Sequence, residues 1–331
     1  MKRIDFEHHF CAQAYYDMME KRSDPPYYRK DTDIVTWKGS FLTPQNKIRP
    51  LLLDMGEKRI AHMDEIGIDT AIVSCFRGIE FIDGSESIEM SRLTNDALYE
   101  MTQKYPGRYL GAASLPVHET AAACYELERC VKELGFVAWH TFSNYGDRAP
   151  EDPAYRPIFK KAEELGVYVY LHPNLDNNPR VQEYGFTLAG SAMGFTLDTL
   201  ITVTKLIMSG IFDEMPKLTI MLGHLGEALP FLIARLDNRV KKVANSPIKC
   251  VREPGYYIRN NILVTTSGNM LTEAFLCTRD VLGIDRILMG TDYPHESAEE
   301  MVTFLEELPI SAIEREAVYY KNAEEKLGIR V

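Results

Sequence analysis

A closed parallel β/α barrel of the TIM type is the fold class predicted by this sequence, on three observations. Short apolar, β-branched runs recur eight times, near residues 2–6, 69–75, 108–114, 135–140, 167–172, 218–223, 261–266 and 286–291, with longer amphipathic stretches between them. Eight is the number of strands such a barrel needs. Glycines at 67, 135 and 166 close helical stretches just before the next strand, where a left-handed residue stops a helix cheaply. Ionisable residues then follow several of the apolar runs, at the strand ends where this architecture places its functional groups. A chain of 331 residues, 45% hydrophobic, can bury a core of that size, and residues 1–331 are expected to form one domain.

In chain order, the strand at 2–6 runs into Glu7, His8 and His9, and helices are expected over 51–66, 87–104, 120–134, 153–165 and 196–210. One or two further helices over 308–327 close the fold. Two connections are too long for simple turns. Residues 11–50, with Tyr15, Tyr16, Pro25, Pro26, Tyr27, Tyr28 and Trp37, form an aromatic insertion after the first strand. Residues 174–195, with Asn177, Asn178 and Pro179, form another after the fifth. Both leave from carboxyl ends of strands, so they are read as lids or pocket walls, or else as contacts between subunits.

The run Leu218–Leu222 is followed by Gly223, His224, Gly226 and Glu227, and then by Arg235 and Asp237. His224 is thereby placed at a strand end. Glu227, three residues on, can reach back to its imidazole, and Arg235 is expected on the same helix. Residues 167–171 run into His172 and Pro173, and residues 286–291 into Asp292, Tyr293, Pro294 and His295. Residues two apart on a strand face the same way, so Glu7 and His9 point together and His8 points into the wall behind them. Glu7, His9, His172 and Asp292 supply two carboxylates and two imidazoles, a complement for one divalent cation. Buried charges in that number need a metal or equal partners.

Taken together, Glu7 with His9, His172 with Pro173, the segment from His224 through Glu227 to Pro230 with Arg235 and Asp237, and Thr291 to Pro294 resemble the amidohydrolase-2 branch of the amidohydrolase superfamily. More narrowly they resemble its metal-dependent, non-oxidative aromatic-acid decarboxylases, such as those acting on γ-resorcylate, 2,3-dihydroxybenzoate and 5-carboxyvanillate. The resemblance extends from residue 2 to about 328, including Tyr319 to Ala323. Many hydrolases of the superfamily open on Asp-x-His-x-His, whereas Asp5 and Phe6 here are followed by Glu7, an exchange typical of the o-hydroxybenzoate decarboxylases. The resemblance implies a carboxy-lyase with a single metal ion, because the fourth strand carries no bridging lysine. A glutamate in place of a histidine hardens the ligand set toward Mn²⁺ and still permits Zn²⁺.

The same resemblance nominates Asp292 to protonate the ring carbon that loses CO2, with His224 and Glu227 holding or supplying the proton. Arg235 pairs with Glu227 or with the anionic group of the substrate. His295 and His140 are assigned to substrate contact, His140 alternatively to a hydrogen bond at the barrel rim. A metal-dependent hydrolase of an ester, lactone or ring-cleavage product, or a hydratase, is the alternative, since Asp292 can equally take a proton from water. A net charge of −11 argues against nucleic acid or an anionic membrane as partner, and the partner that the resemblance implies is a small aromatic carboxylate. Six cysteines without a Cys-x-x-Cys pattern, no leader-like start and no apolar run near the roughly 20 residues of a membrane helix fit a cytoplasmic enzyme. The aromatic insertion and the resemblance imply a homo-oligomer, a dimer or tetramer.

Overall fold

A computed structural model describes every residue except Ser40, Arg77, Asp176 and Asn177. Eight parallel strands follow one another in chain order around the sheet: β1 (Ile4–Phe10), β2 (Thr70–Cys75), β3 (Tyr109–Ala113), β4 (Ala138–Phe142), β5 (Tyr168–His172), β6 (Ile220–Leu222), β7 (Ile262–Thr265) and β8 (Ile287–Leu288). β8 rejoins β1 through Phe6 N–H to Met289 O at 2.9 Å, His9 N–H to Tyr293 O at 2.7 Å and a parallel bridge between His8 and Tyr293. The barrel is thus closed by backbone that continues past the last regular strand.

β6 and β8 are shorter than expected, at three and two residues, and β1 and β4 depart from their expected bounds in ways that matter at the site. β1 continues to Phe10, so Glu7, His8 and His9 lie within the strand and not beyond it. β4 begins at Ala138, because Gly135 (φ +71°) ends the preceding helix and the Phe136 ring covers Gly111 of β3. His140 is therefore mid-strand. It pairs in register with Tyr170, while Phe142 pairs with His172, so His140 faces the barrel interior one side-chain layer below His172.

The interior below that layer is filled by Ile4, Phe6, Ile72, Ala112, Tyr168, Met221, Leu263 and Leu288, a packed plug and not a channel. A larger apolar shell lies between the strands and the surrounding helices, for example Val73, Trp139, Val169, Ile220 and Val264 against Phe159, Val203, Leu206 and Phe275. Small residues on β3 and β4 offset the two tyrosines of β5, which keeps the plug close-packed.

The expected helix over 51–66 is two, Arg49–Leu53 and Glu57–Ile66, broken at Gly56. The insertion after β1 holds a helix, Gln13–Lys21, and a three-stranded antiparallel sheet of Tyr27–Arg29, Ile34–Thr36 and Leu42–Pro44. Its aromatic residues Tyr15, Tyr16, Tyr28 and Trp37 are buried against the barrel. The insertion after β5 holds two short helices, Pro179–Gln182 and Phe186–Ala189; Asn177 of that stretch lies outside the described residues. At the C-terminus, Ala312–Glu316, a π-helical turn over Ala317–Lys321 and Asn322–Leu327 run on continuously. Among the described residues no helix is long and apolar enough to cross a membrane.

Asp5 ties the two ends of the barrel together. Its fully buried carboxylate accepts from Glu7 N–H (3.0 Å), Thr291 N–H (3.0 Å) and Thr291 Oγ1 (2.5 Å), and lies 2.9 Å from His8 Nε2. His8 in turn stacks on Tyr293 with ring centroids 5.0 Å apart. One carboxylate thus fixes the backbone at Glu7 and beside Asp292. Asp5→Ala leaves buried donors without an acceptor and is expected to cost about 3 kcal/mol or more, read as a lowered urea midpoint.

Candidate active site

At the carboxyl ends of β1, β5 and β8, one donor atom each from Glu7, His9, His172 and Asp292 lie within 4.8 Å of one another, all four residues buried. His9 Nε2 is 3.0 Å from Asp292 Oδ1, and its Nδ1 is 3.0 Å from Ser74 Oγ at the end of β2. His172 Nδ1 donates to the Pro173 carbonyl at 2.8 Å, which fixes the tautomer and leaves the Nε2 lone pair facing inward. That Nε2 is 3.7 Å from Glu7 Oε1, and neither atom has a hydrogen-bond partner. Glu7 Oε2 accepts from Thr265 Oγ1 at 2.9 Å.

Two carboxylates and two imidazole nitrogens converge here, two of the four atoms unpartnered and fully buried. A divalent cation supplies the missing partner, so the donor set fits one metal ion. Burial raises the pKa of Glu7, and repulsion from Asp292 raises it further. Burial would do the same to Asp292, but the His9 hydrogen bond and the charges of His9, His295 and His224 outweigh it and hold that carboxyl below its ordinary range. Burial, reinforced by His9, pushes His172 and His140 well below the usual imidazole value, so both lone pairs are available.

The strand-to-helix turn after β6 presents His224. Gly223 is required there, since a Cβ would lie 2.9 Å from Tyr170 Oη and 3.2 Å from Glu7 Oε1. His224, Leu225, Glu227 and Asp292 all adopt positive φ, at 54°, 57°, 59° and 62°. Non-glycine residues resist that conformation, so the turn is held by what surrounds it. His224 Nδ1 pairs with Glu227 Oε1 at 2.9 Å, and Thr196 Oγ1 donates to Glu227 Oε2 at 2.6 Å. Burial opposes protonation of His224, but Glu227, then Glu7 and Asp292, more than offset it and raise its pKa to about 10.

Above these groups lies a cavity of about 520 Å³, lined on its polar side by His172, His224, Glu227, Asp292, His295 and Glu296. Phe76, Phe186, Met193 and Phe195 form its apolar wall. The volume suits a small aromatic ligand. His295 stacks on Phe76 at 4.9 Å between centroids, so the predicted ligand-contact position does face the cavity.

Two residues expected at the substrate, Arg235 and His140, do not line this cavity. Arg235 is exposed on the helix Leu229–Val240 and lines a separate recess with Leu232, Leu236 and Arg239. The expectation carried helical periodicity from Glu227 to Arg235, but Gly226 and Glu227 break the backbone before that helix starts, so Glu227 is not on it. His140, assigned to substrate or the barrel rim, is buried beneath the ligand cluster and does not line the cavity, because β4 starts late. Sequence reasoning passed over Ser74, Thr265, Glu296 and the apolar wall. Ser74 and Thr265 are polar residues ending apolar strands, the same signal that found the ligands; Phe186, Met193 and Phe195 carry no signal, being brought in by the insertion after β5.

Comparison with known proteins places this geometry. Residues 79–329 match the sequence profile of the family described as Amidohydrolase. A gamma-resorcylate decarboxylase of Rhizobium sp. is 37% identical over 82% of this chain and 86% of its own length. Another, of Polaromonas sp., is 35% identical over 84% of this chain and 89% of its own. A crystal structure of a dihydroxybenzoic acid decarboxylase from Polaromonas sp., with bound manganese and the inhibitor 2-nitroresorcinol, superimposes with a TM-score of 0.85 at 31% identity, covering 100% of this chain and 98% of the other.

Metal analysis of the purified protein is expected to give one divalent ion per chain, with Mn²⁺ bound, and none in a His9→Ala/His172→Ala double variant. Two tightly held ions, or retention in that variant, would refute the ligand set. The raised His224 pKa sets a second expectation. In metal-free protein its contribution to stability is fully present below the ordinary 6.5 and falls away as pH rises through about 10. The difference in urea midpoint between the natural protein and Glu227→Gln should therefore shrink across that window.

Proposed function

The chain belongs to the Amidohydrolase family, and on that premise we propose that it is a metal-dependent, non-oxidative decarboxylase of an o-hydroxybenzoate-type aromatic acid. The observation that carries this reading is the double placement of Asp292, which is both a member of the cation-ligating cluster and a wall of the aromatic-lined cavity beside His224. Relatives named gamma-resorcylate decarboxylase support the substrate class.

Residues Glu7, His9, His172 and Asp292 would hold the ion, a donor set whose two carboxylates suit manganese. When bound, the ion would supply positive charge that offsets the anionic end of the substrate. Phe76, Phe195 and Met193 hold the ring face and exclude water. Asp292 delivers a proton to the ring carbon that bears the carboxylate. A new C–H bond forms there, the bond to the carboxyl carbon then breaks, CO2 leaves, and the electron pair of that bond restores the aromatic ring.

A carboxyl held below its ordinary range is a poor reservoir for that proton. His224, held protonated beside Glu227, lines the same cavity and is the group that resupplies Asp292. The raised proton affinity of His224 and the lowered one of Asp292 divide the store of the proton from the group that delivers it. His295 and Glu296 meet the polar edge of the substrate.

The proposal takes residues 1–331 as one domain and the protein as a homo-oligomer, a reading supported by apolar side chains left exposed at Phe231, Ile201 and Val251. Six unpaired cysteines support a cytoplasmic setting.

Assays of CO2 release across hydroxybenzoates, run in deuterated water, test the reaction. Deuterium is expected at the carbon that lost CO2. Asp292→Asn should lower turnover roughly 10²–10⁴-fold while ligand binding persists, and His224→Asn about 10²-fold with the ion retained. Opening of a lactone or ester with the same dependence on Asp292, and no CO2 from any hydroxybenzoate, would make the protein a hydrolase.

A further inference from the structure

Beneath the ligand cluster, His140 is a buried imidazole that the proposed reaction does not use. It lies 3% exposed in the barrel interior, its ring stacked on Tyr170 at 5.5 Å and flanked edge-on by Phe142 at 5.0 Å. Its Nε2 has no hydrogen-bond partner. Leaving a buried imidazole nitrogen unpaired costs free energy that a leucine or phenylalanine at this position would avoid, so packing alone does not account for the residue. His140 is not isolated, however. One ring nitrogen each from His9, His140 and His172 lie within 4.8 Å of one another, the same mutual spacing as the four ligands above. The His172 Nε2 that faces the carboxylates is itself unpartnered.

We propose that His9, His140 and His172 form a second, all-imidazole cation position, one side-chain layer below the first and sharing two ligands with it. The two positions differ in chemistry. The upper one adds two carboxylates and suits a hard ion such as Mn²⁺. The lower one is three neutral nitrogens and suits a borderline ion such as Zn²⁺. A lone pair on a shared imidazole serves one ion at a time, so the two positions exclude each other and occupancy stays at one ion per chain. Zn²⁺ drawn down onto His140 would leave the carboxylate oxygens of Glu7 and Asp292 and withdraw from the cavity. The identity of the ion thereby selects its depth in the barrel. This inference rests on the proposed ligand set but not on the decarboxylation itself.

The test uses the full-length protein stripped of metal and reloaded with Zn²⁺ or Mn²⁺ alone. X-ray absorption counts imidazoles around each ion. Three are expected around Zn²⁺ and two around Mn²⁺, a result that needs no variant and holds even if substitutions at 140 fold poorly. His140→Leu should lower the count around Zn²⁺ to two and weaken Zn²⁺ at least tenfold, leaving Mn²⁺ affinity within twofold. Two imidazoles around Zn²⁺ in the natural protein, equal weakening of both ions in His140→Leu, or two ions bound together would each overturn the proposal. CO2 release by the Mn²⁺-loaded His140→Leu protein is scored separately. Its absence from both the natural protein and the variant counts against the decarboxylase reading and not against the second cation position.

Discussion

Two carboxylates, Glu7 and Asp292, are buried at the mouth of the barrel with oxygens inside one 4.8 Å cluster, and much of the surrounding structure is arranged around that unfavourable pairing. Two like charges so close, screened by protein instead of water, cannot both stay ionised without positive partners. The fold supplies some of that compensation itself, through His9 against Asp292 and the Thr265 hydroxyl against Glu7. The remainder is met by the geometry of a cation site. The shift of Glu7 upward and Asp292 downward is the same conflict expressed as proton affinity.

Holding such a cluster requires rigid backbone, and the barrel provides it at several levels. Asp5 pins the chain at Glu7 and at Thr291, so the first and last strands share one buried acceptor. The positive φ angles at His224, Glu227 and Asp292 lie beside fixed contacts, with His224 N–H on Ser267 Oγ, Glu227 on the His224 ring and Thr291 on Asp5. Glu7, His9 and His172 sit on strands and Asp292 on the turn that follows β8, whereas the groups that form the apolar wall of the cavity come largely from the helices and turns after β5. That division keeps ligand distances fixed while the wall can vary with the shape of the substrate.

The strand ladder and the four clustered donors are legible in the sequence because they obey strictly local rules. Apolar runs of strand length end in Glu7, His9, His172 or Asp292, and period-two alternation is enough to place Glu7 and His9 on one face. Arg235 lies apart from Glu227 for an equally local reason, since the expected neighbourhood depends on an unbroken helix and the positive-φ turn at Gly226 and Glu227 interrupts it. His140 was placed one layer too high because the start of β4 is set by Phe136 packing over Gly111, a tertiary contact with no periodic trace. Phe186, Met193 and Phe195 escaped notice because an irregular insertion brings them to the cavity.

The proton economy of the site follows from the same electrostatic conflict. Asp292 is kept ionised by the histidines around it, which makes it a good ligand and a weak store of protons. His224 has the opposite setting, because Glu227 lies 2.9 Å from its Nδ1 and the two buried carboxylates add to the field. Charge brought in at the cluster reverses part of that field: a cation beside Glu7 and Asp292 removes their pull on His224 and leaves Glu227 as its main anionic partner. Its affinity for the proton then falls, and the proton is held less tightly beside the cavity. Filling the ligand cluster would therefore do two things at once, offsetting the charge of the two carboxylates and loosening the hold of the site on the His224 proton.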